Sequence, residues 1–99
     1  MPPVHKLPTP PKAATPILLE AAAAQGLAFS INDPAAGLFE FRTPVGSGGK
    51  AARITVSITD DGFGDTAMHI AVDPAGSWSG KRAARRLVRR TRRECERAG

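Results

Sequence analysis

The chain has no tyrosine, one tryptophan and four phenylalanines in 99 residues. Aromatic side chains cannot build the core alone, so Leu, Ile and Val must carry most of it. The single cysteine, Cys95, excludes an internal disulfide and fits a reducing compartment. No apolar run approaches the ~20 residues that span a bilayer. Residues 1–16 lack the apolar middle of a signal peptide. These absences point to a soluble, cytoplasmic protein with no membrane contact. Histidine is nearly missing as well, and His69 alone stands in the strand-patterned region. It has no second metal ligand near it and no nucleophile paired with it by motif. No catalytic residue, metal or cofactor is therefore expected, and the chain reads as non-enzymatic.

Acid is scarce where base is abundant. From Lys81 to Gly99 only Glu94 and Glu96 oppose nine cations: Lys81, Arg82, Arg85, Arg86, Arg89, Arg90, Arg92, Arg93 and Arg97. Residues 1–80 hold five basic and seven acidic residues, so the whole excess of positive charge sits in this last segment. At ~100° per residue, Ala84, Leu87, Val88, Thr91, Cys95 and Ala98 share one arc of roughly 100°, and the arginines fill most of the opposite half. A cationic stripe on a helix docked by its other face is a footprint for a polyanion. Lys81 and Arg82 are read in the helix's first turn, where cations oppose the macrodipole. With Arg85 and free backbone amides they could hold a phosphate.

Residues 1–15 are read as a Pro-rich disordered tail, because Pro2, Pro3, Pro8, Pro10 and Pro11 remove donors and fix φ. Pro8 and Pro11 have P-x-x-P spacing, but a plain mobile terminus is the preferred reading. Residues 16–99 form one small α+β domain that ends in the basic amphipathic helix. Thr15 and Pro16 are expected to open a first helix, and Gly26 to close it. The period then changes from 3.6 to 2. Leu27, Phe29 and Ile31 alternate with small or polar residues, as do Phe39 and Phe41, then Ile54, Val56 and Ile58, then Met68, Ile70 and Val72. Such alternation predicts an antiparallel sheet of three to four strands with the N-terminal and C-terminal helices packed on one face. Residues 32–37 and 60–65 are turns, and the Asp60, Asp61 and Asp65 cluster lacks the spacing of a calcium loop. Ser77 or Ser79 caps the basic helix. Trp78 is expected to anchor its entrance by packing, with base stacking as the lesser reading. Gly46-Ser47-Gly48-Gly49-Lys50 is not a phosphate-binding P-loop, since Lys50 leads into a strand. It is equally a floppy hairpin loop or a groove contact through Lys50 and Arg53.

Three regions resemble, in order, the double-stranded RNA-binding domain, an α-β-β-β-α module. Leu18-x-Glu20 followed by Gly26-Leu27 looks like its first helix and exit. Phe39-Glu40, Ser47-Gly48-Gly49-Lys50 and Ile54 look like its first strand, loop and second strand. Lys81-Arg82-Ala83-Ala84-Arg85 is similar to the start of its second helix. Residues 28–37 look like an insertion into that pattern. The resemblance implies that Glu20 faces one minor groove and Lys50 probes the next. Lys81, Arg82 and Arg85 would then grip phosphates between them, reading A-form shape rather than sequence.

The expected function is nucleic-acid binding, RNA or DNA, by backbone contacts from Lys81, Arg82, Arg85, Arg86 and Arg89, with Lys50, Arg53 and Glu20 in support. The alternative is a small protein-interaction module, or a mobile-element-encoded inhibitor, that turns the same arginines on an acidic partner protein. The oligomeric state is left open.

Overall fold

A computed structural model describes residues 4–44 and 51–98. The fold is α+β, with two helices and a five-stranded antiparallel sheet. In chain order the elements are β1 (Val4–Leu7), α1 (Pro11–Ala24), β2 (Ala28–Asp33), β3 (Leu38–Arg42), β4 (Arg53–Asp60), β5 (Thr66–Asp73) and α2 (Trp78–Ala98). The sheet order is β1-β5-β4-β3-β2. Among the described residues no helix is long and apolar enough to cross a membrane.

Alternation sets the core. Phe39 and Phe41, Ile54, Val56 and Ile58, and Met68 and Ile70 point to one face, and α1 and α2 cover it with Ala14, Leu18, Ala21, Ala84, Leu87, Val88 and Cys95. The two helices cross this face antiparallel. Gln25 at the end of α1 donates to the Ala83 carbonyl near the start of α2 at 2.7 Å. At the other end, Ile17 and Glu20 share a hollow with Arg90 and Arg97.

From Val4 onward the Pro-rich start is built into β1 and α1 rather than left as a tail. Val4–Leu7 pairs with β5 in the register Val4↔His69 to Leu7↔Thr66, which adds the fifth strand. Leu7 is fully buried, and the Thr66 hydroxyl donates to the Thr9 carbonyl at 2.7 Å. Prolines are compatible with this because β1 lies at the sheet edge and four residues long is enough to reach β5's exposed ladder. The helix also begins earlier than Thr15. Pro11 is its first residue, a position whose missing N–H has no intrahelical partner anyway. Thr15 lies inside α1 and donates its hydroxyl to the Pro11 carbonyl at 2.8 Å. Pro16 is an interior residue that deprives the carbonyl of exposed Lys12 of its donor.

Strand β2 departs from simple alternation. A bulge between Phe29 and Ile31 shifts the register. Phe29 stays on the helix side, edge-on to Phe41 with centroids 5.2 Å apart, whereas Ile31 pairs with Glu40 on the opposite face. The two hairpin turns form as their residues suggest. Gly37 adopts φ +67°, and its carbonyl accepts from Ile58 N–H at 2.8 Å. Asp61 Oδ1 accepts from the amides of Phe63 at 2.7 Å and Asp65 at 3.1 Å. The Phe63 amide leads in holding the Asp61 carboxyl below its ordinary range, with the Asp65 amide and Lys6 adding to it against some desolvation. The Asp60 and Asp61 carboxylates thus hold the turn, Asp60 by accepting from Gly62 N–H at 2.7 Å.

Candidate nucleic-acid interface

Helix α2 spans about 31 Å at 1.5 Å per residue. Its polar start is fixed by Ser77, whose Oγ accepts from Gly80 N–H at 3.0 Å while its carbonyl accepts from Lys81 N–H at 3.0 Å. Ser77 is therefore the cap, and Arg82 falls in the second turn rather than the first. The Gly80 amide is taken by the cap and is not free for a phosphate. Gly80 is buried because a Cβ there would stand 2.5 Å from Val72 Cγ1 and 2.7 Å from Ala52 Cβ. The absence of a side chain lets the first turn of α2 sit directly on the ends of β4 and β5.

Ala84, Leu87, Val88, Thr91 and Cys95 are buried, as the apolar stripe predicts. Burial also pushes the Cys95 thiol up, away from the reactive thiolate form. The opposite half of the helix is cationic. Lys81, Arg82, Arg85, Arg86, Arg89, Arg90, Arg92, Arg93 and Arg97 are all exposed. Of these nine, only Arg97 meets a carboxylate among the described residues, Glu94 at 3.4 Å. The other eight make no ion pair among the described residues.

The two flanks of this ridge differ. Toward α1, Arg86, Arg90 and Arg93 border a polar hollow with Gln25 and Glu94. Toward β5 lies a groove of about 800 Å³. Its floor is apolar, from Ile70, Val72, Ala84 and Val88, and Lys81, Arg85, Arg89 and Arg92 stand along its rim beside His5. The described β1 pairs only as far as His69, so β5 from Ile70 to Asp73 has no partner on that side among the described residues. Partial burial, and secondarily the Arg92 charge, lower the His5 pKa from its ordinary 6.5.

The residues expected to bind nucleic acid do not all converge. Lys81, Arg82, Arg85, Arg86 and Arg89 share the exposed face of α2. Arg53 lies on the other side of the sheet, since its neighbour Ile54 faces the core, and it pairs with Glu40 at 3.4 Å and Asp73 at 4.0 Å. Glu20 lies beside Arg90 and Arg97, near the far end of α2 from Lys81. The cause is topological. In an α-β-β-β-α chain of hairpin connections the helices run parallel, and β2 adds a strand between them and reverses α1. Lys50 and Gly46, Gly48 and Gly49 lie outside the described residues. The base of their loop is clamped, with Thr43 N–H on the Ala52 carbonyl at 3.0 Å and Ala52 N–H on Thr43 Oγ1 at 2.8 Å.

Trp78 is not the packing anchor expected of it, for it is 81% exposed. Counting back at ~100° per residue places it in the middle of the cationic arc, between Arg85 and Arg89 in angle. That signal was available in the sequence, in a helical wheel extended by one turn. His5 and the groove had no such signal, because both depend on β1.

No protein-family model matches the chain, and no curated protein or solved structure matches it either.

Proposed function

We propose that the chain is a non-enzymatic, cytoplasmic nucleic-acid-binding protein that grips the phosphate backbone through the arginine face of α2. One observation carries this reading: eight exposed cations on a docked helix without a carboxylate partner among the described residues. Folding does not call for them, since the apolar stripe already anchors the helix. Phosphates supply the missing counter-charge with little sequence readout. The sequence likeness to the double-stranded RNA-binding domain makes RNA duplex one ligand to try. The reversed α1 argues that Glu20 plays no part in a shared grip, so the contact is a single ridge along α2.

Binding of a labelled duplex, RNA and DNA in parallel, tests this at 50 and 200 mM salt. With about six phosphates engaged, affinity falls roughly 10³-fold between the two. Replacing Arg82, Arg85 and Arg86 by alanine weakens binding to all sequences alike and flattens the salt slope. An affinity indifferent to salt refutes the proposal.

The apolar groove favours one second reading, an acidic partner protein that buries apolar side chains between α2 and β5. A partner retained after nuclease treatment, and lost on Arg92→Glu, supports it over the first.

A further inference from the structure

We propose that Trp78 is a stacking platform for an unpaired base, so that the ligand of α2 carries bases its backbone leaves accessible: a single strand, a loop or a frayed end. This rests on the reading of α2 as a phosphate-binding ridge and narrows its ligand. The fold does not use the indole. The helix start is fixed by the Ser77 cap and by Gly80 against Val72 and Ala52, and Trp78 remains 81% exposed. Those same contacts make the first turn rigid, which a stacking surface needs. Lys81 and Arg82 follow at i+3 and i+4, with side chains starting about 5–6 Å away. A nucleotide whose phosphate meets them has its base within reach of the ring.

Exposure alone does not make the case. Phe63 is more exposed still, at 89%, but it stands at the opposite end of the sheet on a turn with Asp60, Asp61 and Asp65. Carboxylates there repel a phosphate. Among the described residues only Trp78 joins an open aromatic face to a row of cations, the combination that holds single strands without reading their sequence. Bases inside a duplex already stack on their neighbours and have no face to give.

Trp78 is the chain's only tryptophan, and there is no tyrosine, so its emission reports the site directly. Full-length protein is titrated with an unstructured oligouridine strand, a long RNA duplex and heparin, a polyanion without bases. The expected result is quenching by oligouridine and little by heparin. Trp78→Ala weakens oligouridine binding about 5- to 150-fold, the loss of one base–aromatic stack. It leaves heparin affinity and melting temperature unchanged, and Trp78→Phe restores part of the loss. Oligouridine bound equally well by wild type and Trp78→Ala overturns the stacking role while sparing the phosphate ridge. Heparin bound but neither nucleic acid bound at low salt overturns both.

Discussion

Arg89 has four cations and no anion at its i±3 and i±4 positions. Arg85 and Arg93 are its i−4 and i+4 neighbours, Arg86 and Arg92 its i−3 and i+3 neighbours, and it makes no ion pair among the described residues. Like charges at these spacings cost about 0.2–0.5 kcal/mol per pair on a helix surface. Arg89→Gln removes four such contacts, keeps most of the aliphatic stem and changes helix propensity little. The expected gain is therefore about 1–2 kcal/mol. For a domain of this size that is a rise in melting temperature of at least ~4–8 °C. The gain is electrostatic, so it shrinks with salt: the Debye length falls from ~30 Å at 0.01 M to ~3 Å at 1 M. Melting curves by circular dichroism at those two salt concentrations test this. The substitution should also lower affinity for duplex and reduce its salt slope by about one. A protein that is more stable without the arginine but binds worse keeps that charge for its ligand. An Arg89→Gln variant less stable than wild type at low salt refutes the reasoning, because Arg89 then has a structural partner.

Other residues give independent checks. Thr91 is fully buried and its hydroxyl finds no partner among the described residues, so Thr91→Val should stabilise by about 1 kcal/mol in denaturant melts. Gly80→Ala forces a methyl against Val72 and Ala52 and should cost about 1–3 kcal/mol despite alanine's better propensity, read as a lower melting temperature. His5 has a folded pKa below its ordinary 6.5, so the unfolded chain takes up the proton first. Stability is complete above 6.5 and declines as pH falls through it, levelling once folded His5 is also charged. Melting temperature should drop between pH 7.5 and 5.5 in wild type and hold nearly level over that range in His5→Gln.

Much of the fold was legible because its signals are local. Three strands follow from period-2 alternation, and the docked side of α2 follows from its stripe. Gly26, at φ +80°, closes α1 where expected, with Leu27 N–H on the Ala22 carbonyl at 3.1 Å. Strand β1 was not legible, because four residues between prolines carry no pattern of their own. They become a strand only against β5, sixty residues away. The helix start misled for a different reason: two Thr-Pro pairs, at Thr9-Pro10 and Thr15-Pro16, offer similar signals, and packing of Ala14 and Leu18 selects the earlier region. The arginine ridge was legible because it lies on one helix. Glu20 and Arg53 depend on how elements are arranged around that helix. Arg53 was in fact legible by parity with Ile54, whereas Glu20 required knowing that β2 pairs and turns α1 around.

The two outer strands of the sheet share a property that bears on self-association. An open sheet edge is a template for another chain. Here one edge is β1, four residues long among the described residues and followed at once by Pro8, which has no amide to donate. The other is β2, whose bulge at Phe29–Ile31 breaks the regular ladder that a second copy would need to match. Pro8 and that bulge thus interrupt the ladder at both outer strands, and the exposed Phe29 and Ile31 sit on the strand whose register is broken.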